Sequence, residues 1–321
     1  MIEIDDNNKP YLLFFLSLDI ADSTSYKRKE YQKNKCSYTW SIVFKKFFKD
    51  LDFLIIKHYK NSSILKDKQK LSKWRIIGDE VVYFALITNI SLISEHAKIC
   101  LNIVKDFNKN NNLKIKATSW LAGFPINNII IYEDEKKTLF GNRRDLLPYN
   151  QKINFLGSSI DTGFRISKFA SINKYVLSID LAYTLMFLEK ENKNNYLDFY
   201  FDGKKQTKGL KENEYPIVWL SVDKPQELKL EKPNPCNLNE LYEWSFQYMK
   251  KTNIYLPFIA NDNTEYKEYF KPSHNYIKTY NSLISNLKQE FIDMGSEYQE
   301  DYNQYEAKEL PFKNINNLFN I

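Results

Sequence analysis

Two acidic residues stand where apolar strands come to an end. The run Tyr11 to Leu18, "YLLFFLSL", has the character of a strand buried on both faces, and it stops at Asp19, with Asp22 three residues on. Asp79 lies in "WRIIGDEVVYFALI", at a tight turn between two short apolar strands. A bare carboxylate beside a core costs several kcal/mol, so each acid needs a partner. In a strand-helix-strand-strand unit the end of the first strand lies beside the central hairpin. Asp19 and Asp79, 60 positions apart, then face each other. Two close carboxylates repel unless a divalent cation sits between them. Hard oxygen ligands suit Mg²⁺ or Mn²⁺, an ion commonly shared with substrate phosphates. A second pair, Asp161 and Arg165, is spaced four apart and so shares one helix face.

The elements that must position these groups follow from the hydrophobic pattern. Trp40, Val43, Phe44, Phe47, Phe48, Leu51, Leu54 and Ile55 recur at helical spacing, with Ser23, Thr24 and Ser25 placed as helix-start caps. The segment around Gly78-Asp79-Glu80 has the form of a hairpin. Ile93, Ala97, Cys100, Val104 and Phe107 make a second amphipathic helix, and "LKIKATSWLAGFP" alternates as a strand. The order strand, helix, strand, strand, helix, strand is the ferredoxin-like βαββαβ pattern of an α/β (α+β) protein. A helix ("SSIDTGFRISKFAS"), a strand ("KYVLSID"), another helix and two strands ("YLDFYFDG", "YPIVWLSV") extend it. The three prolines of "KPQELKLEKPNPCN" mark a linker, which divides residues 1–223 from a small, mostly helical C-terminal module at 224–321.

Composition narrows the class. With 43% hydrophobic and 16% aromatic residues, the chain can bury a sizeable core and is not a disordered protein. Its net charge of +6 comes without a long single-sign block, and runs such as Lys66 to Lys73 are expected as solvated faces, not as a nucleic-acid stripe. Cys36, Cys100 and Cys236 are far apart, as are the three histidines, which disfavours disulfides and a zinc site. The N-terminus is polar, and no apolar run nears the roughly 18 residues needed to span a bilayer. The expectation is a cytoplasmic protein without nucleic-acid or membrane partners.

The segments "FLSLDIADST" and "RIIGDEVVYF" resemble the two metal-binding segments of class III nucleotidyl cyclases, which read like DI-x-G-x-T and K-x-x-G-D. A third, "NFLGSSIDTGFRIS", resembles that family's D-I-W-G-x-x-V-N-x-x-x-R helix, and the three arrive in the family's order over roughly residues 10 to 222. The resemblance implies the class III cyclase core and a phosphorus–oxygen lyase working as a homodimer with shared active sites. It implies two divalent ions per site, Mn²⁺ or Mg²⁺, on Asp19, Asp79 and the carbonyl of Ile20. Arg165, reaching across to the partner's metal site, would stabilise charge on the α-phosphoryl group. Asp161 falls where the family usually has a ribose-orienting asparagine, and Asp22 where it has glycine. Ser23 and Thr24, at a helix start, would help cradle phosphate. Lys208, or alternatively Lys211, corresponds to the late lysine that grips the triphosphate.

The base-reading lysine and aspartate of adenylate cyclases correspond here to Arg75 and Asn154. An Arg/Asn pair can satisfy the carbonyl, N–H, carbonyl edge of uracil, whereas cytosine presents an amino donor at one end. Tyr26 and Tyr38 are available to stack on a base. Over the whole chain the likeness is to the bacterial pyrimidine cyclases of the Pycsar antiphage system, whose tail is an AGS-C sensor domain. The expected reaction is UTP to 3′,5′-cyclic UMP and diphosphate, the product acting on a separate effector in antiviral defence. The alternatives are CTP to cyclic CMP, and a catalytically inactive nucleotide sensor of cyclase fold.

Overall fold

Strand β1 (Tyr11–Ile20) is the centre of the molecule, and its alternation explains the two layers around it. Leu12, Phe14, Leu16, Leu18 and Ile20 point to one face; Leu13, Phe15, Ser17 and Asp19 point to the other. The computed structural model describes residues 11–34, 39–62, 65, 70–124, 127–132, 153–192, 197–210, 213–222, 234–254, 282 and 285–286.

β1 pairs antiparallel on one side with β3 (Glu80–Ile87) and on the other with β4 (Ile115–Phe124). With β2 (Ser72–Ile77), β7 (Lys174–Leu177), β8 (Phe199–Gln206) and β9 (Glu214–Ser221), they form a seven-stranded mixed sheet of order β2-β3-β1-β4-β7-β9-β8. The first four positions, β2-β3-β1-β4, are the ferredoxin-like arrangement expected from the sequence. β7 runs parallel to β4, and the remaining pairings are antiparallel.

Two helices, α1 (Ser23–Asn34) and α2 (Thr39–Lys60), lie between β1 and β2, where the sequence pattern suggested one. The first face of the sheet is covered by α2, α3 (Ser91–Asn110) and α5 (Ile179–Asn192), whose buried residues join those of β1 in one core. A smaller aromatic core lies on the second face: Phe15, Trp74, Phe84, Trp120 and Phe155 pack with Ile153 and Ile160. It is covered by α4 (Ser158–Ile166) and a two-stranded ribbon of β5 (Asn128–Tyr132) and β6 (Ile153–Gly157). The ribbon is absent from the sequence expectation, which has only the helix "SSIDTGFRISKFAS" in this part of the chain.

Helix α4 lies very close to β4. A Cβ at Gly163 would stand 2.2 Å from the Trp120 ring, so glycine is what lets this helix settle on the sheet. A 3-10 turn, Ser167–Phe169, ends the segment expected to be helical throughout.

Beyond the expected linker, α6 (Leu238–Thr252) is capped by Asn237, whose side chain accepts from the backbone N–H groups of Asn239 and Glu240. Its Leu241, Tyr248 and Met249 are part of the main core. Tyr242 stacks on Tyr183 of α5 with ring centroids 4.6 Å apart, and Trp244 packs on Phe201 of β8. Burial of such side chains contributes roughly 1.5–3 kcal/mol each, so α6 is fastened to the sheet. Asp223, residues 224–233 of the expected linker and most of the chain beyond Ile254 lie outside the described residues, as does Cys36. Cys100 and Cys236 are free thiols. Among the described residues no helix is long and apolar enough to cross a membrane.

Candidate active site

Asp19 is the last but one residue of β1, and the sheet register sets its surroundings. Across the ladder it faces Glu80 of β3 on one side and Lys116 of β4 on the other. Opposed residues share a face, so all three project toward the second layer. Lys116 Nζ is 2.8 Å from Asp19 Oδ2. The hydroxyl of Ser17, two residues back on the same face, donates to the Glu80 carboxylate.

Asp79 arrives from the two-residue turn joining β2 to β3. Ile77 pairs with Glu80, and Gly78 takes φ +65 at the first loop position, where a type II′ hairpin turn requires it. The turn brings Asp79 near enough to Asp19 to act on its carboxyl group. Burial raises the pKa of the Asp19 carboxyl; Lys116 opposes the rise and Asp79 adds to it. Glu80 is raised in the same way, by burial first, with Asp19 and Asp79 contributing and Ser17 and Lys116 opposing. Three carboxyls thus crowd one end of β1.

Two ammonium groups answer them. Besides Lys116, Lys27 of α1 stands with Nζ 3.7 Å from Asp79 Oδ1. Positive charge is what this place demands, and lysines supply it. A divalent ion with oxygen preference would suit the same donors, Asp19 and Asp79, and would need further oxygen ligands beside them. Among the described residues no cluster of three or more His, Cys, Asp or Glu side chains forms a self-sufficient metal site. Ile20, whose carbonyl was expected to join the ligands, adjoins the pair as the last residue of β1.

The chain after Ile20 turns sharply. Asp22 has φ +55, a left-handed conformation that glycine adopts freely and aspartate tolerates. The backbone at this position therefore has the shape that a glycine would serve. Ser23 is buried and Thr24 exposed at the start of α1, where Tyr26 N–H bonds to the Asp22 carbonyl at 2.9 Å. Tyr26 itself packs near Phe44, with ring centroids 6.1 Å apart, and Tyr38 lies outside the described residues. We expect Asp22→Gly to melt no earlier than the wild type. Asp22→Val, a branched side chain forced to positive φ, should lose about 1–2 kcal/mol in denaturant titration.

A second constellation lies on other elements. Arg165 is on α4, and its Nη1 donates to the carbonyl of Lys208 in the turn between β8 and β9. Gly209, at φ +78, completes the cradle, because a Cβ there would stand 2.7 Å from the guanidinium. Lys168 fastens the adjoining end of β8 by donating to Gln206 O at 3.0 Å. The structure therefore brings Arg165 and Lys208 together, while Lys211 lies outside the described residues. Arg165 Nε is buried without a hydrogen-bond partner. Asp161 is exposed one turn earlier, and among the described residues no ion pair joins it to Arg165. Nor does a hydrogen bond or ion pair connect Arg165 with Asp19 or Asp79.

Arg75 and Asn154 belong to neighbouring backbones. The Trp74 indole N–H donates to Ile153 O at 2.8 Å, tying β2 to β6 one residue before each of them. The ladder shifts register between Lys73 and Arg75, a bulge that leaves Arg75 opposite Val82 and on the second face of the sheet, beside Trp74. The Arg75 guanidinium carbon lies 4.2 Å from the Trp74 ring centroid. Asn154 pairs with Ile131 on the outer side of the ribbon. There it shares a face with Ile129, Ile131 and Leu156, exposed at 52%, 41% and 49%. This solvent-facing apolar strip flanks the expected base-reading residue.

Lys27, Glu80 and Lys116 are absent from the sequence-based site. The alternation of "LKIKATSW", set against the register of β1, carries the signal for Lys116.

No protein-family model matches the chain, and no curated protein matches it in sequence. Solved structures similar to it in fold include the adenylyl cyclase CyaB from P. aeruginosa, at 11% identity and TM-score 0.45, covering 68% of this chain and 98% of that one. The guanylate cyclase domain of RhGC from Catenaria anguillulae, in complex with GTP, is 11% identical with TM-score 0.43, covering 66% of this chain and 97% of that one. An adenylate cyclase from Trypanosoma brucei in its monomeric state is 8% identical with TM-score 0.43, covering 70% and 95%.

Proposed function

We propose that this protein is a nucleotidyl cyclase that converts a pyrimidine nucleoside triphosphate, UTP in preference to CTP, to its 3′,5′-cyclic monophosphate and pyrophosphate. One observation carries the reading. Asp19 and Asp79, 60 positions apart, meet at the end of β1 and hold ammonium groups where a cation is wanted.

Two divalent ions held by Asp19, Asp79 and the Ile20 carbonyl would lower the pKa of the ribose 3′-hydroxyl and neutralise phosphate charge. The 3′-hydroxyl gives its proton to solvent as its oxygen attacks the α-phosphorus in line; the bond from the α-phosphorus to the oxygen bridging to the β-phosphate breaks, and pyrophosphate leaves. Ser23 and Thr24, in the first turn of α1, present backbone N–H groups to the phosphates. Arg165 fixes a positive charge beside the α-phosphoryl oxygens as charge builds there, and the Lys208 ammonium holds the terminal phosphates. On the resemblance to class III cyclases, whose arginine helix reaches across a dimer, each complete site takes Arg165, with the Lys208 it is bonded to, from a second copy. Asp161, as a carboxylate, accepts from a ribose hydroxyl where an asparagine amide would donate.

Base choice rests on Arg75 and Asn154. Arginine donates to a carbonyl oxygen, and the amide both donates and accepts, which matches the uracil edge. A site built around one base edge leaves buried groups unpaired with the wrong base and discriminates by powers of ten. The resemblance of the whole chain to Pycsar cyclases extends the proposal to antiphage signalling through a separate effector, with residues 224–321 as the sensing module. A catalytically silent nucleotide sensor is the second reading, favoured by the charge of Asp22 where phosphate would lie.

The test is incubation of the purified protein and Mn²⁺ with all four triphosphates at equal concentration. Cyclic UMP should dominate, with cyclic CMP next, and Asn154→Asp should weaken UTP use because its carboxylate faces a uracil carbonyl. Dominant cyclic AMP or cyclic GMP contradicts the pyrimidine reading, and absence of any cyclic product favours the sensor.

A further inference from the structure

Lys27 and Lys116 hold the carboxylate pair in unlike ways. Lys116 is on a central strand with Nζ 2.8 Å from Asp19, a close ion pair. Lys27 is on helix α1, just past its first turn, and its Nζ stands 3.7 Å from Asp79, too far for a tight hydrogen bond. The same ammonium also lies 5.0 Å from the ring centroid of Phe44 and 5.4 Å from that of Trp40, both on α2. A cation over two aromatic faces is attracted to them whether or not a carboxylate is near. In one position, then, the Lys27 ammonium faces Asp79 and the two rings together.

We propose that Lys27 is a displaceable counter-ion of the carboxylate pair, holding Asp79 until a divalent ion enters and then withdrawing onto Trp40 and Phe44. The inference rests on the metal site of the proposed function and adds to it a residue that sets metal affinity. A unit positive charge beside Asp79 competes with the incoming ion in two ways. It occupies the carboxylate, and it repels the ion until it moves. The two ring faces already beside the ammonium would hold it as it leaves the carboxylate, so the movement does not strand a bare charge. Lys116, the tighter and more rigidly mounted partner of Asp19, is less suited to yield. Since Lys27 and Asp79 keep 34% and 25% side-chain exposure, water screens the pair and the effect is a few-fold one. Lys27 also sits one turn beyond Ser23 and Thr24, so its withdrawal links metal entry to the helix start proposed to receive phosphate.

The test is Mn²⁺ binding by the full-length protein, stripped with chelator and titrated in the presence of a non-hydrolysable UTP analogue, with free Mn²⁺ followed by electron paramagnetic resonance and the analogue's own Mn²⁺ binding subtracted. Lys27→Met keeps an apolar stem against the two rings and removes the charge; Lys27→Gln does so with a polar end. Both should bind Mn²⁺ about two- to fivefold more tightly than the wild type. Lys29→Met, at an exposed position on the same helix, should leave the affinity unchanged. Equal affinities in wild type and both Lys27 variants would overturn the role of Lys27 while leaving the metal site standing. Equal tightening by Lys29→Met would overturn it too, because the effect would then be one of net charge. If none of the proteins binds Mn²⁺, the metal site and the lysine's role fall together.

Discussion

Asp79→Ala should lose catalysis on the order of a thousandfold, and its thermal melting in chelator should stay close to the wild type. The two halves of this expectation have different causes. Catalysis falls because half of the carboxylate pair that would hold the divalent ions is gone. Stability holds because the substitution also removes the group that crowds Asp19 and helps to raise its pKa. What is given up is a partly exposed ion pair with Lys27, worth at most about 1 kcal/mol. Cyclic-nucleotide formation followed by chromatography, with melting recorded on the same preparation, checks both. A variant that turned over near the wild-type rate would remove Asp79 from the site. One that failed to fold would make it a structural acid.

Arg165→Ala should cost about 10³-fold or more in turnover, the scale on which an arginine stabilises phosphoryl-transfer charge. Among the described residues the charge of this side chain meets a backbone carbonyl and no carboxylate. Its guanidinium is aligned by a backbone carbonyl, that of Lys208, and framed by Gly209, while Asp161 makes no ion pair with it. A surface arginine kept for stability would be expected to take the nearby carboxylate. Arg165→Lys should rescue little, because an ammonium cannot offer the planar fork of donors. Single-turnover measurements separate this loss of rate from any loss of triphosphate binding.

The sequence discloses those parts of the site whose signal is local. Asp19 ends an apolar run, and Asp79 follows a glycine between two such runs. Their meeting follows from the order of elements alone, because the ferredoxin-like arrangement puts β3 beside β1. The β5–β6 ribbon escapes notice for a physical reason. Its outer residues Ile129, Ile131 and Leu156 are as apolar as its inner ones, so the period-two alternation of a half-buried strand is missing. The facing of Arg75 is equally hidden, since it depends on a one-residue bulge at Trp74. Lys27 and Lys116 pass as ordinary solvated lysines until helix placement and strand register bring them to Asp79 and Asp19. Two helices in place of one after β1 are hard to separate, because the polar sequence of α1 carries almost no apolar stripe of its own.

The central claim is that one chain carries two half-sites, the carboxylate pair and the Arg165–Lys208 cradle, which become one active site when two copies meet. Mixing two inactive proteins tests it most directly. Asp19→Ala lacks the first half-site and Arg165→Ala the second, so each homodimer is silent. After subunit exchange at equal concentrations, half of the dimers are mixed, and each has one intact site of its two. The mixture should recover about a quarter of wild-type activity. If heterodimers form, as shown by differently tagged subunits purified together, and activity stays at the level of the separate variants, the two half-sites do not complete each other and the account is wrong.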